Sequence, residues 1–232
     1  MQNLTFNPVM QTIQTHKSDW IKYSNNTPAL SPRQVLTSKN MAVWTGLVSR
    51  GISNALRGLS QMVGYQIMVT SPDLKWLPVK DVTNMIGGPE EVGIGIYLAI
   101  EGDATGHLLL MHDINIAFKL IDIQLGLPQG TTEHIGEMES SVLGEMGNIT
   151  GSFFLNALAD SGNMLLMPSP PVVMADLVRA IINIPLTLIM EEQDNALMVK
   201  ATFSADSQQM DGTFMVLPTM DFMTAILDRQ TT

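Results

Sequence analysis

Apolar residues along this chain recur at two spacings. In "MAVWTGLVSRGISNALRGLSQMVG" (41–64) and in "GEMESSVLGEMGNITGSFFLNALADSG" (136–162) they return every three or four residues, which predicts a long amphipathic helix in each. Each helix runs into a strand-like segment, "YQIMVTSP" (65–72) and "NMLLMPSPP" (163–171). The two stretches align without gaps at an offset of 99 residues, which carries Ser49 onto Asn148 and Pro72 onto Pro171. Further on, "GHLLLMHDINIAFKLID" (106–122) repeats the pattern of "GTFMVLPTMDFMTAILD" (212–228) at an offset of 106 residues, a buried strand followed by an amphipathic helix ending in Asp.

Short apolar runs fill the space between. "WLPVKDVTNMI" and "VGIGIYLAIEG" in the first half, and "VVMADLVRAII", "IPLTLIMEEQ" and "ALMVKATFSA" in the second, read as strands covered on one or both faces. "EGDATG" and "SADSQQMDG" read as turns between antiparallel neighbours, and "GGPEEVGIG", which lacks the lysine and context of a phosphate loop, reads as a further turn. Residues 1–38 are polar, with Pro28 and Pro32 in "NNTPALSPRQ", and read as an N-terminal arm, with Ser38 or Asn40 as the cap of the first long helix. The expectation is one α+β domain over 39–232, built from two repeats (about 39–125 and 136–230) related by a pseudo-twofold. Two long helices would pack on a largely antiparallel, multi-stranded sheet.

Composition narrows the function classes. Twelve basic against 22 acidic side chains give a net charge of -10, which argues against nucleic-acid binding. There is no cysteine, so disulfides, thiolate chemistry and Cys-ligated metals are excluded. The apolar stretches "HLLLM" and "IINIPLTLIM" are too short to span a bilayer, and the opening residues lack a signal-peptide pattern. The expectation is a cytoplasmic protein that binds neither nucleic acid nor membrane. The 18 methionines are expected to fill gaps in the core.

The second long helix carries the candidate chemistry. At 100° per residue, Ser141, Glu145 and Asn148 fall within a wedge of roughly 60°. Val142, Met146, Ile149 and Phe153 form an apolar stripe to one side, expected to anchor the helix to its sheet. Gly144, Gly147 and Gly151 form a stripe to the other, expected to admit a second backbone at close range. A polar outer face is the ordinary state of a surface helix, so spacing alone leaves function open. Ser141 has no histidine partner on this helix, which argues against an activated nucleophile. One hydroxyl, one carboxylate and one amide make a thin metal-ligand set. What such groups can do on a rigid helix is position: an amide donates and accepts at once, and a carboxylate can pair with a partner's lysine.

"SVLGEMGNITG" together with the distant proline resembles the CheC/CheX/FliY family of response-regulator phosphatases. The family signature is Asp or Ser, three residues, Glu, two residues, Asn, twenty-two residues, Pro, and Ser141, Glu145, Asn148 and Pro171 meet it at every spacing. The resemblance extends over about residues 40–230 and is nearest to a CheC-like protein with a single intact motif. It implies a CheC-like fold and hydrolysis of the aspartyl phosphate on a phosphorylated CheY-like receiver. Asn148 would orient the attacking water and Glu145 would pair with the receiver's lysine, with Ser141 and Pro171 supporting the site. It implies no cofactor in this chain, since Mg2+ is held by the receiver, and it admits CheD as a second partner. The alternative is a non-catalytic chemotaxis adaptor of the same fold. In the first repeat the aligned positions are Ala42, Gly46, Ser49 and Pro72, so only the proline of the motif remains and that site is expected to be inactive.

Other candidates carry less. Glu133, His134, Glu137 and Glu139 in "TTEHIGEME" read as an acidic first helical turn behind a Thr131 or Thr132 cap rather than a metal site. His16, His107 and His112 have no sequence neighbours that suggest catalysis.

Overall fold

The structure is a computed structural model that describes residues 37–69, 72–85, 90–191, 193–204 and 212–230. The arm expected over 1–38, save its last two residues, and the "SADSQQMDG" turn, save its two ends, lie outside the described residues. The first repeat runs α1 (Ser38–Val63), β1 (Met68–Val69), β2 (Asp73–Pro78), a 3-10 helix (Val79–Met85), β3 (Val92–Gly102), β4 (Gly106–Asp113) and α2 (Ile114–Leu125). The second runs α3 (Glu137–Gly162), β5 (Leu166–Pro168), β6 (Val172–Leu177), α4 (Val178–Met190), β7 (Asn195–Ser204), β8 (Gly212–Pro218) and α5 (Met220–Gln230). The α+β class and the internal repeat are both present. Helices α1 and α3 are each 26 residues long and stand 99 residues apart, as do β2 and β6.

All strands join one antiparallel sheet in the order β1-β7-β8-β4-β3-β5, with β2 also on β7 and β6 also on β3. The middle pair, β4 with β8, lies on the pseudo-twofold, Gly106 opposite Pro218 and Leu110 opposite Phe214. Toward each edge the repeats exchange strands. β1 and β2 of the first repeat pair with β7 of the second, and β5 and β6 of the second pair with β3 of the first.

The sheet is apolar on both faces, which explains runs such as "GIGIYLAI". Along β3, Ile94, Ile96, Leu98 and Ile100 enter one core with α1, α3, α2 and α5, while Tyr97 and Ala99 enter a second core under α4. Gly95 belongs to this strand rather than to a turn, and a Cβ built there overlaps Ile181 Cγ2 of α4. "EGDATG" does turn, with Gly102 at φ 113° between β3 and β4.

Four further expectations are corrected. "IPLTLIMEEQ" is not a strand but the end of α4, with Pro185 inside the helix. Ile182, Ile184, Pro185, Leu186, Leu188 and Ile189 are all buried, while Arg179, Asn183 and Thr187 form a narrow exposed row; divided at Asn183, the two short apolar runs each read equally as a strand. "VVMADLVRAII" is strand only to Leu177 and "WLPVKDVTNMI" only to Pro78, each giving way to a helical turn. The cap of α1 is Thr37, whose Oγ1 accepts from Asn40 N–H at 3.2 Å, so Asn40 is the donor and not the cap. Among the described residues no helix is long and apolar enough to cross a membrane.

Candidate functional site

Helix α3 is seated by its glycines. A Cβ on Gly147 would overlap Ile96 Cγ2 of β3, one on Gly151 would lie 3.4 Å from Leu98 Cδ2, and one on Gly144 would lie 3.3 Å from Pro171 Cγ. The glycine stripe therefore faces the sheet and the segment after β5, where apolar side chains rather than a backbone occupy the space. The expectation is reversed: the sheet takes the glycines, while Phe153 of the apolar stripe lies over Gly58 of α1. The close approach of the two long helices is supplied by α1, where Gly51 faces Phe154 and Leu158. Gly147→Ala is expected to cost about 1–3 kcal/mol, since the colliding Ile96 methyl is a β-branch with little freedom. Chemical denaturation of the variant measures it.

With the glycines inward, Ser141, Glu145 and Asn148 stand exposed on the outer side of α3. They line a groove of about 690 Å³ with Glu137 of the same helix and a wall formed by Pro168, Ser169, Pro170 and Pro171. The structure thus brings Pro171 to the trio across a gap of more than twenty residues. Glu145 and Asn148 are one turn apart on a rigid helix, close enough to touch one bound group together. The amide can donate and accept, the carboxylate can only accept while ionised, and no cationic side chain lines the groove. The groove therefore offers negative charge and hydrogen-bond acceptors with no cation of its own among the lining residues.

The first repeat presents the same position without the chemistry. Ala42 is exposed, and Gly46, Ser49 and Pro72 are half-buried. A Cβ on Gly46 would meet nothing within 4 Å, so packing does not forbid a longer side chain there.

Glu133 and His134 lie in the connector ahead of α3, not on the helix, so His134 and Glu137 do not share a helical face. The cap of α3 is Gly136, whose N–H donates to Glu139 Oε2 at 2.9 Å. Thr131 and Thr132, expected as caps, instead turn to Asp122 at the end of α2. This buried carboxylate accepts from Gly130, Thr131 and Thr132 N–H and from Thr132 Oγ1, at 2.6–3.1 Å. Burial raises its pKa, and the four hydrogen bonds, Thr132 Oγ1 foremost, more than offset this and leave it below an ordinary aspartate. Sequence reasoning missed this role, although an acidic residue closing the apolar "IAFKLID" was its visible signal. His107 Nδ1 is 2.8 Å from the Tyr97 hydroxyl, and His112 meets Phe203 edge-on; both are buried away from the groove. Burial, with a smaller contribution from Glu101, pushes the Tyr97 phenol above its ordinary range. Seven methionines, among them Met146, Met198 and Met215, are buried in the cores, while Met138 and Met167 are exposed.

Residues 138–175, which contain the whole ridge and its wall, match the model of the CheC-like family. The chain is 29% identical over 163 residues to the CheY-P phosphatase CheC of Bacillus subtilis, covering 69% of this chain and 78% of that one. In fold it is similar to Thermotoga maritima FliY, with a TM-score of 0.67 at 18% identity over 85% of this chain and 98% of that one. The CheX protein of Desulfovibrio desulfuricans gives a TM-score of 0.51 at 15% identity over 74% and 99%. FliM in its complex with SpeE from H. pylori gives 0.60 at 10% identity over 84% and 96%. Along the ridge and wall the sequence is similar to the CheC-like family, and the described residues share the fold of the FliY and CheX proteins.

Proposed function

We propose that the chain accelerates hydrolysis of the aspartyl phosphate on a CheY-like receiver, with Asn148 and Glu145 acting on a partner docked along α3. The observation that carries this reading is the exposed Ser141, Glu145, Asn148 ridge beside the Pro171 wall. Asn148 enters the receiver's phosphorylation site, accepts a hydrogen bond from a water molecule through its carbonyl oxygen and aims the water's lone pair at phosphorus. The water oxygen bonds to phosphorus as the bond to the aspartyl oxygen breaks, which releases phosphate and restores the carboxylate. Glu145 pairs with a lysine of the receiver and fixes the docking register; Ser141 and Pro171 shape the groove. Mg2+ belongs to the receiver in this reading. Positioning supplies most of the rate in phosphoryl transfer, which suits a site with no nucleophile of its own.

The test is loss of phosphate from a phosphorylated CheY-like receiver with and without the chain. Acceleration that saturates with chain concentration supports the reading, and an unchanged rate with every receiver of the same cell removes it. Glu145→Gln is expected to weaken receiver binding about tenfold, near 1.4 kcal/mol, with the loss largest at low salt. Titration calorimetry at two ionic strengths measures this.

A second reading, a non-catalytic adaptor that binds CheD or a receiver, is favoured by the first ridge, which keeps its place in the fold without its functional groups. It requires binding without acceleration.

A further inference from the structure

Between its two paired strands the wall of the groove is tied to β3 by one serine, through its backbone N–H and its hydroxyl. β3 pairs with β6 as far as Tyr97 opposite Val172 and with β5 from Ile100 opposite Pro168, which leaves Leu98 and Ala99 in the break between them. The segment across the break is "PSPP", and prolines at 168, 170 and 171 have no N–H to continue a ladder. Ser169 alone closes it. Its N–H donates to Ala99 O at 2.9 Å, its Oγ accepts from Ala99 N–H at 2.9 Å, and its hydroxyl donates to Pro170 O at 3.1 Å. Both polar groups of Ala99 are thereby satisfied by one residue only 6% exposed, the carbonyl by its backbone N–H and the N–H by its hydroxyl.

On its other side this segment abuts α3 at two points that flank Asn148. Pro171 meets the backbone at Gly144, one turn before it, and Pro168 meets Gly151, one turn after it. The distance between wall and ridge is therefore set where Ser169 attaches the wall to β3.

Resting on the phosphatase reading above, we infer that Ser169 is a positioning residue for that reaction: its hydroxyl fixes the Pro168–Pro171 wall so that a docked receiver presents its phosphoryl group to Asn148 in line. Ser169 touches neither water nor phosphate; it acts through Pro171 and Pro168. A displacement of about 1 Å at such a wall costs turnover more than binding, because the amide must align in the transition state while the Glu145 contact tolerates it.

The experiment compares single-turnover dephosphorylation and receiver affinity for wild type, Ser169→Ala, Ser169→Thr and Asn148→Ala, with thermal unfolding of each. Ser169→Ala is expected to lower the maximal rate about tenfold while receiver Kd stays within about twofold. Ser169→Thr, which keeps the oxygen, restores the rate to within about threefold of wild type. Where alanine prevents folding, Ser169→Cys takes its place under the same criteria, its sulfur being a weak acceptor of similar shape. A folded Ser169→Ala with wild-type turnover overturns the inference, as does a loss that follows the unfolded fraction or a folded Ser169→Thr that stays slow. If Asn148→Ala is inactive while Ser169→Ala is not, only this inference falls; if wild type itself gives no acceleration, the phosphatase reading falls with it.

Discussion

Asn148→Ala is expected to remain folded, to bind its receiver with a Kd within about threefold of wild type, and to lose stimulated dephosphorylation by about a hundredfold or more. The three parts of this expectation have separate grounds. The side chain is exposed on the outside of α3, and alanine is a better helix former than asparagine, so stability changes little. In the proposed mechanism docking rests on Glu145 and the groove walls, which the substitution leaves in place. What disappears is the amide, whose paired donor and acceptor Glu145, one turn before it, does not replace, since an ionised carboxylate only accepts. Phosphate release from the phosphorylated receiver, measured beside calorimetric binding, decides it. A variant that turns over at the wild-type rate removes Asn148 from the mechanism.

The largest expected effect on stability lies at Asp122. Its carboxylate is buried and collects the N–H groups of three consecutive residues, Gly130, Thr131 and Thr132, together with the Thr132 hydroxyl. Asp122→Ala strands these donors beside the core. Each hydrogen bond to a charged acceptor is worth about 1.5–3 kcal/mol, but the connector is partly exposed and can turn to water, so the net loss is about 3 kcal/mol. The effect depends on pH. The folded-state pKa is depressed, so the stabilisation is fully present above the unfolded aspartate value near pH 4 and is lost as pH falls through the lower folded value. Urea unfolding should therefore show a wide gap between wild type and Asp122→Ala at neutral pH that narrows below about pH 4. A gap that is constant down to the acid limit means the carboxylate charge contributes nothing.

The long helices, the repeat offset and the ridge were legible in the chain because each rests on a local period. Ser141, Glu145 and Asn148 share a face by helix geometry alone, whatever the helix packs against. What the helix packs against was not legible. A glycine stripe admits any close neighbour, and only the tertiary fold reveals that Ile96, Leu98 and Pro171 fill it rather than another backbone. Helix α4 was missed for another reason: its exposed row, Arg179, Asn183 and Thr187, returns every four residues, but it is split between two short apolar runs that each read as a strand. Asp122 and Ser169 belong to a third kind: their partners are loop or edge backbone groups, and backbone groups leave no mark in the sequence. The "PSPP" run did hold one clue, a single hydroxyl among residues that cannot donate.

The exchange of edge strands constrains how the chain can be divided. A cut in the connector after α2 would give two pieces, each with a strand, β3 or β7, whose outer partner lies in the other piece. Such bare edges seek pairing, so the separated pieces should reassemble with each other, and two copies of one piece could close symmetrically in the same way. In a symmetric pair of identical pieces both ridges must carry the same side chains. Covalent linkage lifts that constraint: one ridge can lack the carboxylate and amide that the other carries, within a single pseudo-symmetric architecture.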